Sequence, residues 1–236
     1  MTLVFALQGQ DEIVVAADSM AHDGPDSEGR YKSSVRKLHP LPNHWLFGFA
    51  DGQSAYAIYN QIKAQGWESQ LSANIALGAQ EYAEKMRDLY EKSSYQDSTT
   101  AILCGVSNGE PATYSWSLSR DDKGQVKFAG AQIRPERAGI GARQHGALYF
   151  ASAFHRRDMD TKQRISLAYF CLSEAAKHDL RVGGHIDVAL VKENSAVRLF
   201  SQAELSEVER ASMGIAESLA RRFVAPGPSI SGLISA

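Results

Sequence analysis

The sequence predicts an α+β chain in which two β-sheets pack on one another with helices outside. Two observations carry this reading. Strand and helix patterns alternate in blocks: strands, a helix pair, strands, a second helix pair, strands and a final helix. The segments Ile13 to Ala17 and Ala101 to Val106 are apolar on both sides, so each strand needs cover on both faces. A second sheet on one face and helices on the other supply that cover.

Leu3, Phe5 and Leu7 alternate with Val4, Ala6 and Gln8. Gly9-Gln10-Asp11 breaks the run and Ile13 to Ala17 resumes it, the pattern of a hairpin whose second arm ends at Asp18-Ser19. An antiparallel return brings Asp18 close to the chain start. A polar loop, Asp23 to Gly29, leads to a strand carrying Val35-Arg36-Lys37-Leu38, and Trp45 to Phe49 forms the next. Asp51 is placed to cap a helix that buries Tyr56, Tyr59 and Ile62 and closes at Gly66. In the following helix, about Ser72 to Lys92, Ile75, Ala79, Tyr82, Met86 and Leu89 make one stripe. Strands Thr99 to Val106, Ala112 to Leu118 and Val126 to Ile133 follow, separated by the turn signals Asn108-Gly109 and Asp122-Lys123-Gly124. Helices from Gln144 to Phe154 and Thr161 to His178 come next, the second with Ile165, Tyr169, Leu172 and Ala176 on one side. After strands Ile186 to Val191 and Val197 to Phe200, the last helix opens on a capping box, Ser201-Gln202-Ala203-Glu204. It buries Leu205, Val208, Ile215 and Leu219. Residues 1–223 are read as one domain, and 224–236 as an extended or mobile tail punctuated by Pro, Gly and Ser.

Composition sets the outer bounds. The 236 residues are 44% hydrophobic and 22% charged, enough for one large core. A net charge of −2 gives no reason to expect nucleic acid or an anionic membrane as a partner. No apolar run approaches the ~20 residues needed to cross a bilayer. The start lacks the basic residues of a signal peptide, so a cytoplasmic location is expected. Cys104 and Cys171, the two cysteines, fall in a strand and a helix and read as buried apolar residues.

Chemistry-bearing patterns are few. The seven histidines show no zinc spacing and read as solvated or capping residues, with His155-Arg156-Arg157-Asp158 a solvated helix end; no metal or cofactor is expected. Gly139-Ile140-Gly141 lacks the third glycine of the dinucleotide fingerprint, and neither a Walker loop nor a nucleophile elbow occurs. Thr2 is different. If Met1 is removed, Thr2 carries a hydroxyl and a free α-amine on one residue, a nucleophile together with its general base. An α-amine with a pKa of about 7.7–8.0 is partly neutral near physiological pH and able to take the hydroxyl proton.

Thr2, the Ala17-Asp18-Ser19 step, Arg36-Lys37 and the Phe47-Gly48-Phe49-Ala50 turn together resemble the proteasome β-type family of N-terminal-nucleophile hydrolases, including the peptidase HslV and other bacterial proteasome homologues. The resemblance extends to about Phe200 and is most specific between Thr2 and Asp51. It implies a four-layer αββα sandwich. It also implies a catalytic set: Thr2 as nucleophile, Asp18 paired with Lys37 so that the ammonium favours the alkoxide, and Gly48 offering a backbone N–H to the oxyanion. Arg36 competes with Lys37 for the cation's place, and Lys37 is preferred. Asp179 matches the family's later aspartate near the threonine amine. Met20, Ala21, Val35, Leu46 and Ala50 fall where the family builds the pocket for the side chain preceding the scissile bond. The implied partners are further copies of the chain in stacked rings of six or seven, unfolded protein or peptide substrates, and an ATPase unfoldase where one is present.

The chain departs from the family at two hydroxyls. A Gly-Ser-Gly turn becomes Gly139-Ile140-Gly141-Ala142, and the family's Asp-x-x-Ser-Gly becomes Asp179-Leu180-Arg181-Val182-Gly183. Weak turnover or an atypical substrate is the expected consequence. Two other roles remain open on the residues alone: a catalytically silent ring subunit, and an amidase of the same nucleophile class acting on a small amide.

Overall fold

The computed structural model describes residues 3–21, 33–50, 53–141, 145–179 and 182–224. In chain order the elements are β1 (Leu3–Gln8), β2 (Glu12–Asp18), β3 (Met20–Ala21), β4 (Ser33–Ser34), β5 (Leu38–Pro40), β6 (Leu46–Ala50), α1 (Gln53–Ala64) and α2 (Ile75–Glu91). There follow β7 (Thr99–Ser107), β8 (Glu110–Arg120), β9 (Val126–Ile133), β10 (Arg137–Gly141), α3 (His145–Phe154), α4 (Thr161–His178), β11 (Ile186–Lys192), β12 (Arg198–Leu199) and α5 (Gln202–Val224). One five-stranded sheet runs β10-β1-β2-β11-β12 and a second runs β5-β6-β7-β8-β9, with β3 and β4 forming a separate short ladder.

Strand alternation builds the layers. In β1, Leu3, Phe5 and Leu7 face helix residues such as Ile165, Phe170 and Leu172, whereas Val4 and Ala6 face the other sheet. In β6, Phe47 and Phe49 point toward α1 and α2, whereas Leu46 and Ala50 point inward. The inner layer is lined by small and β-branched residues from both sheets, among them Val4, Ile13, Val15, Ala17, Leu38, Ile102 and Cys104. α3, α4 and α5 cover the first sheet and α1 and α2 the second, which makes a four-layer αββα sandwich. Helix α4 starts on a capping box, Asp160 accepting from the Gln163 amide at 2.8 Å and Gln163 Oε1 accepting from the Asp160 amide at 3.1 Å. Ser201 and Glu204 form the expected box on α5, with Glu204 Oε2 2.8 Å from the Ser201 amide. Those Ser201 hydrogen bonds, with Arg198, hold the Glu204 carboxyl down at about 2.

Several sequence expectations change. Gly139, Ile140 and Gly141, matched above to a turn of the family, belong to the edge strand β10, which pairs antiparallel with β1 so that Gly141 lies opposite Leu3. Lys37 sits between β4 and β5 rather than inside a strand. Helix α5 continues to Val224, one residue into the span read as tail. His39 is not solvated: its ring stacks on Tyr59 and Phe49 at centroid distances of 4.1 and 5.7 Å, and burial lowers its pKa to about 4. His155 is also buried, and its neighbour Arg157 donates to the Gly9 carbonyl at 3.0 Å, so this stretch is a docked helix end. Cys104 and Cys171 are buried and free, and burial raises both thiols to about 12. The capping role of Asp51, the side chains of Ile215 and Leu219, and residues 225–236 lie outside the described residues. Among the described residues, no helix is long and apolar enough to cross a membrane.

Candidate active site

The β1–β2 hairpin pairs Val4 with Ala17, so the strand starting at Leu3 and the strand ending at Asp18 finish at the same end of the sandwich. Asp18 is 1% exposed. A carboxylate so far from water needs donors on both oxygens. Oδ1 accepts from the Leu3 amide at 2.8 Å and from Lys37 Nζ at 3.1 Å. Oδ2 accepts from the amides of Met20 and Gly183, each at 3.2 Å. Lys37, 2% exposed, also donates to the Met20 carbonyl at 2.6 Å. The cation that reaches Asp18 is therefore Lys37, while Arg36 is exposed on the neighbouring position. Such a pair is costly to desolvate, but its geometry is closed by three backbone amides and one carbonyl.

Gly48 lies opposite Leu38 on one side and Ile102 on the other. A Cβ there would stand 2.9 Å from Ile102 Cγ2 and 3.2 Å from Val4 Cγ1, so the tight inner layer requires glycine at this position. Met20, Ala21 and Val35 keep partial exposure beside the Asp18–Lys37 pair. Leu46 and Ala50 differ: at 1% and 0% exposure they belong to the inter-sheet core and present no open surface. The alternation that turns Gly48 inward turns them inward as well. Asp179 caps the C-terminus of α4, its amide donating to the Ala175 carbonyl and its carbonyl accepting from the Val182 amide, both at 2.9 Å. Val182, at the family's second serine position, is buried against α4. Met1, Thr2 and Ala142 lie outside the described residues.

Sequence reasoning missed the clasp formed by residues 182–187. The Gly183 carbonyl accepts from the amides of Ser19 and Met20 at 3.2 and 3.0 Å, and Ser19 Oγ accepts from the His185 amide at 2.9 Å. His185 Nδ1 lies 3.0 Å from Ser19 Oγ, and its Nε2 lies 3.5 Å from Asp187 Oδ1. Gly184 has φ +75°, and a Cβ there would meet Ser19 Oγ at 2.4 Å. Burial raises the Asp187 carboxyl, opposed by His185, Arg36 and Lys37. These partners lie far from Ser19 in sequence, and only the two adjacent glycines hinted at a close approach. Among the described residues, no group of three His, Cys, Asp or Glu side chains is placed to hold a metal ion.

The family model described as Proteasome subunit matches residues 2–191. This chain belongs to the proteasome subunit family. Among solved structures it is similar to Anbu (ancestral beta-subunit) from Yersinia bercovieri, with a TM-score of 0.74, 17% identity, and coverage of 97% of this chain and 100% of that one. It is similar too to an Anbu (Gly-1) mutant from Hyphomicrobium sp. strain MC1, with a TM-score of 0.73, 16% identity, and coverage of 97% and 99% respectively. At these identities the likeness speaks for the fold. No curated protein matches the chain.

Proposed function

We propose that the chain is a threonine-type peptidase subunit of a self-compartmentalising, proteasome-like ring assembly, acting in the cytoplasm on unfolded protein or peptides. The observation that carries this reading is the buried Asp18–Lys37 pair tied to the Leu3 amide. Leu3 follows Thr2 directly, so anchoring its amide to Asp18 anchors the peptide bond that Thr2 shares with it.

With Met1 removed, the Thr2 amine takes the hydroxyl proton and Thr2 Oγ1 attacks the substrate carbonyl. The Lys37 ammonium favours the alkoxide and keeps the neighbouring amine neutral. The amine returns its proton to the leaving nitrogen, and water releases the acyl-enzyme. Asp179, at the end of α4, orients the amine. Met20, Ala21 and Val35 border the pocket for the residue preceding the scissile bond. Association into stacked rings of six or seven confines the sites to a chamber, which an ATPase unfoldase feeds.

One observation favours a silent subunit: buried Val182 brings no hydroxyl to the amine. The test is hydrolysis of a fluorogenic peptide panel by the purified full chain and its Thr2→Ala variant, with assembly size followed by native mass measurement. The proposal expects turnover in the large species, absent in Thr2→Ala. Equal rates in the two proteins, or cleavage of small amides in preference to all peptides, contradict it.

A further inference from the structure

A cavity of about 240 Å³ opens between the two sheets at the end that carries Asp18 and Gly48. Register places it. Gly48 pairs with Ile102 and Ile102 with Ser115, while Ala50 pairs with Thr100 and Thr100 with Ser117. Across the gap, Gly141 of β10 also lines the cavity and lies opposite Leu3. The cavity and the Met20–Val35 border therefore lie on opposite flanks of Gly48, because Lys37 and β5 adjoin the other side of β6.

Its lining is mixed, with Trp116, Ala129 and Ile140 beside polar residues, and it carries a cation. Thr100, Ser115, Ser117, Gln132 and Arg134 contribute to the wall. Arg134 is fixed at both ends: its amide donates to the Thr113 carbonyl at 2.8 Å, and its Nε to Ser115 Oγ at 2.5 Å. Ser115 is only 2% exposed, so the guanidinium leans on a built surface. Among the described residues no carboxylate pairs with Arg134, although a guanidinium offers five N–H donors in a fork that matches a carboxylate. At about 240 Å³ the space is below the roughly 300–1,000 Å³ of typical small-molecule pockets and suits a single residue.

We propose that this cavity is a subsite for a carboxylate-bearing residue on the leaving-group side of the scissile bond, with Arg134 as the recognising cation. The carboxylate is either an acidic side chain or the C-terminus of a short peptide. The assignment of a leaving-group side rests on the peptidase reading; recognition of the carboxylate does not.

The test measures binding on the full-length Thr2→Ala protein, so turnover is not required. Three peptides of one sequence are compared: one with a free C-terminus, its C-terminal amide, and that amide with an aspartate at the last position. At least one carboxylate peptide should bind about tenfold tighter than the neutral amide. Arg134→Gln should abolish the difference, Arg134→Lys should retain part of it, and Ser117→Leu, which fills the cavity from the same strand two positions beyond Ser115, should remove it while leaving the cation in place. Preference for the free C-terminus assigns a terminal carboxylate and preference for the aspartate amide a side chain; both support the subsite. Equal binding of all three peptides, or a preference that survives Arg134→Gln, overturns it. A protein that hydrolyses nothing but keeps the preference loses the peptidase reading alone.

Discussion

Replacing Lys37 by methionine isolates the buried pair at the centre of the site. The substitution keeps most of the side-chain volume and removes the ammonium, leaving Asp18 charged at 1% exposure. Breaking one partner of a buried ion pair costs about 3–5 kcal/mol. Here the amides of Leu3, Met20 and Gly183 still donate to the carboxylate, so the low end, about 3 kcal/mol, is expected. With a urea m-value of roughly 3 kcal/mol/M for a chain of this size, the unfolding midpoint falls by about 1 M. The assay is urea unfolding at pH 7 of wild type, Lys37→Met, Asp18→Asn and the double variant. The double variant, which leaves no unpaired charge, should recover much of the loss seen in Lys37→Met while remaining unable to hydrolyse peptide. A shift below about 0.2 M in Lys37→Met, or a double variant less stable than the single one, refutes the claim that the pair is buried and mutually dependent.

Other outcomes follow from the surrounding packing. Gly9→Ala places a Cβ within 2.7 Å of the Arg164 guanidinium, which is 1% exposed and pinned by Glu12, so the variant should lose about 1–3 kcal/mol by thermal or urea unfolding. His39 has a folded pKa near 4, below its ordinary 6.5, so the unfolded chain binds the proton first. Its share of stability is complete above pH 6.5 and is lost as pH falls toward 4, roughly 2 kcal/mol between pH 7 and pH 5. His39→Phe should flatten the pH dependence by that amount; an unchanged slope contradicts the buried neutral ring. Gly184→Ala should impair folding or activity through the clash with Ser19, because its φ of +75° is strained for alanine and the clasp beneath Asp18 opens. A peptidase-active, fully stable Gly184→Ala protein refutes that role.

How far the fold was legible depends on distance along the chain. The β1–β2 hairpin, the α2 stripe and the strands flanking Asn108-Gly109 rest on local periodicity and turn chemistry, and the structure has them where the sequence implies. β10 was not legible, because Arg-Ala-Gly-Ile-Gly offers little side-chain alternation and its partner β1 lies more than a hundred residues away. Strands of two residues such as β3 and β4 have no period to read. Within the site, Asp18 and Lys37 were reachable as polar residues at the ends of apolar runs. The backbone donors of the 182–187 clasp were not, since any residue type supplies an amide. The inward turn of Leu46 and Ala50 was implicit in β6, but which face of the strand met the second sheet required the helices to be placed first.

The central claim is that Thr2 attacks through its own hydroxyl with its own amine as base. Intact-mass measurement after incubation with a peptide vinyl sulfone tests it most directly. The account predicts a chain lacking Met1 that gains one inhibitor mass, mapped by fragmentation to Thr2 and absent in Thr2→Ala. A protein that retains Met1 in its native assembly, or an adduct that persists in Thr2→Ala, contradicts it.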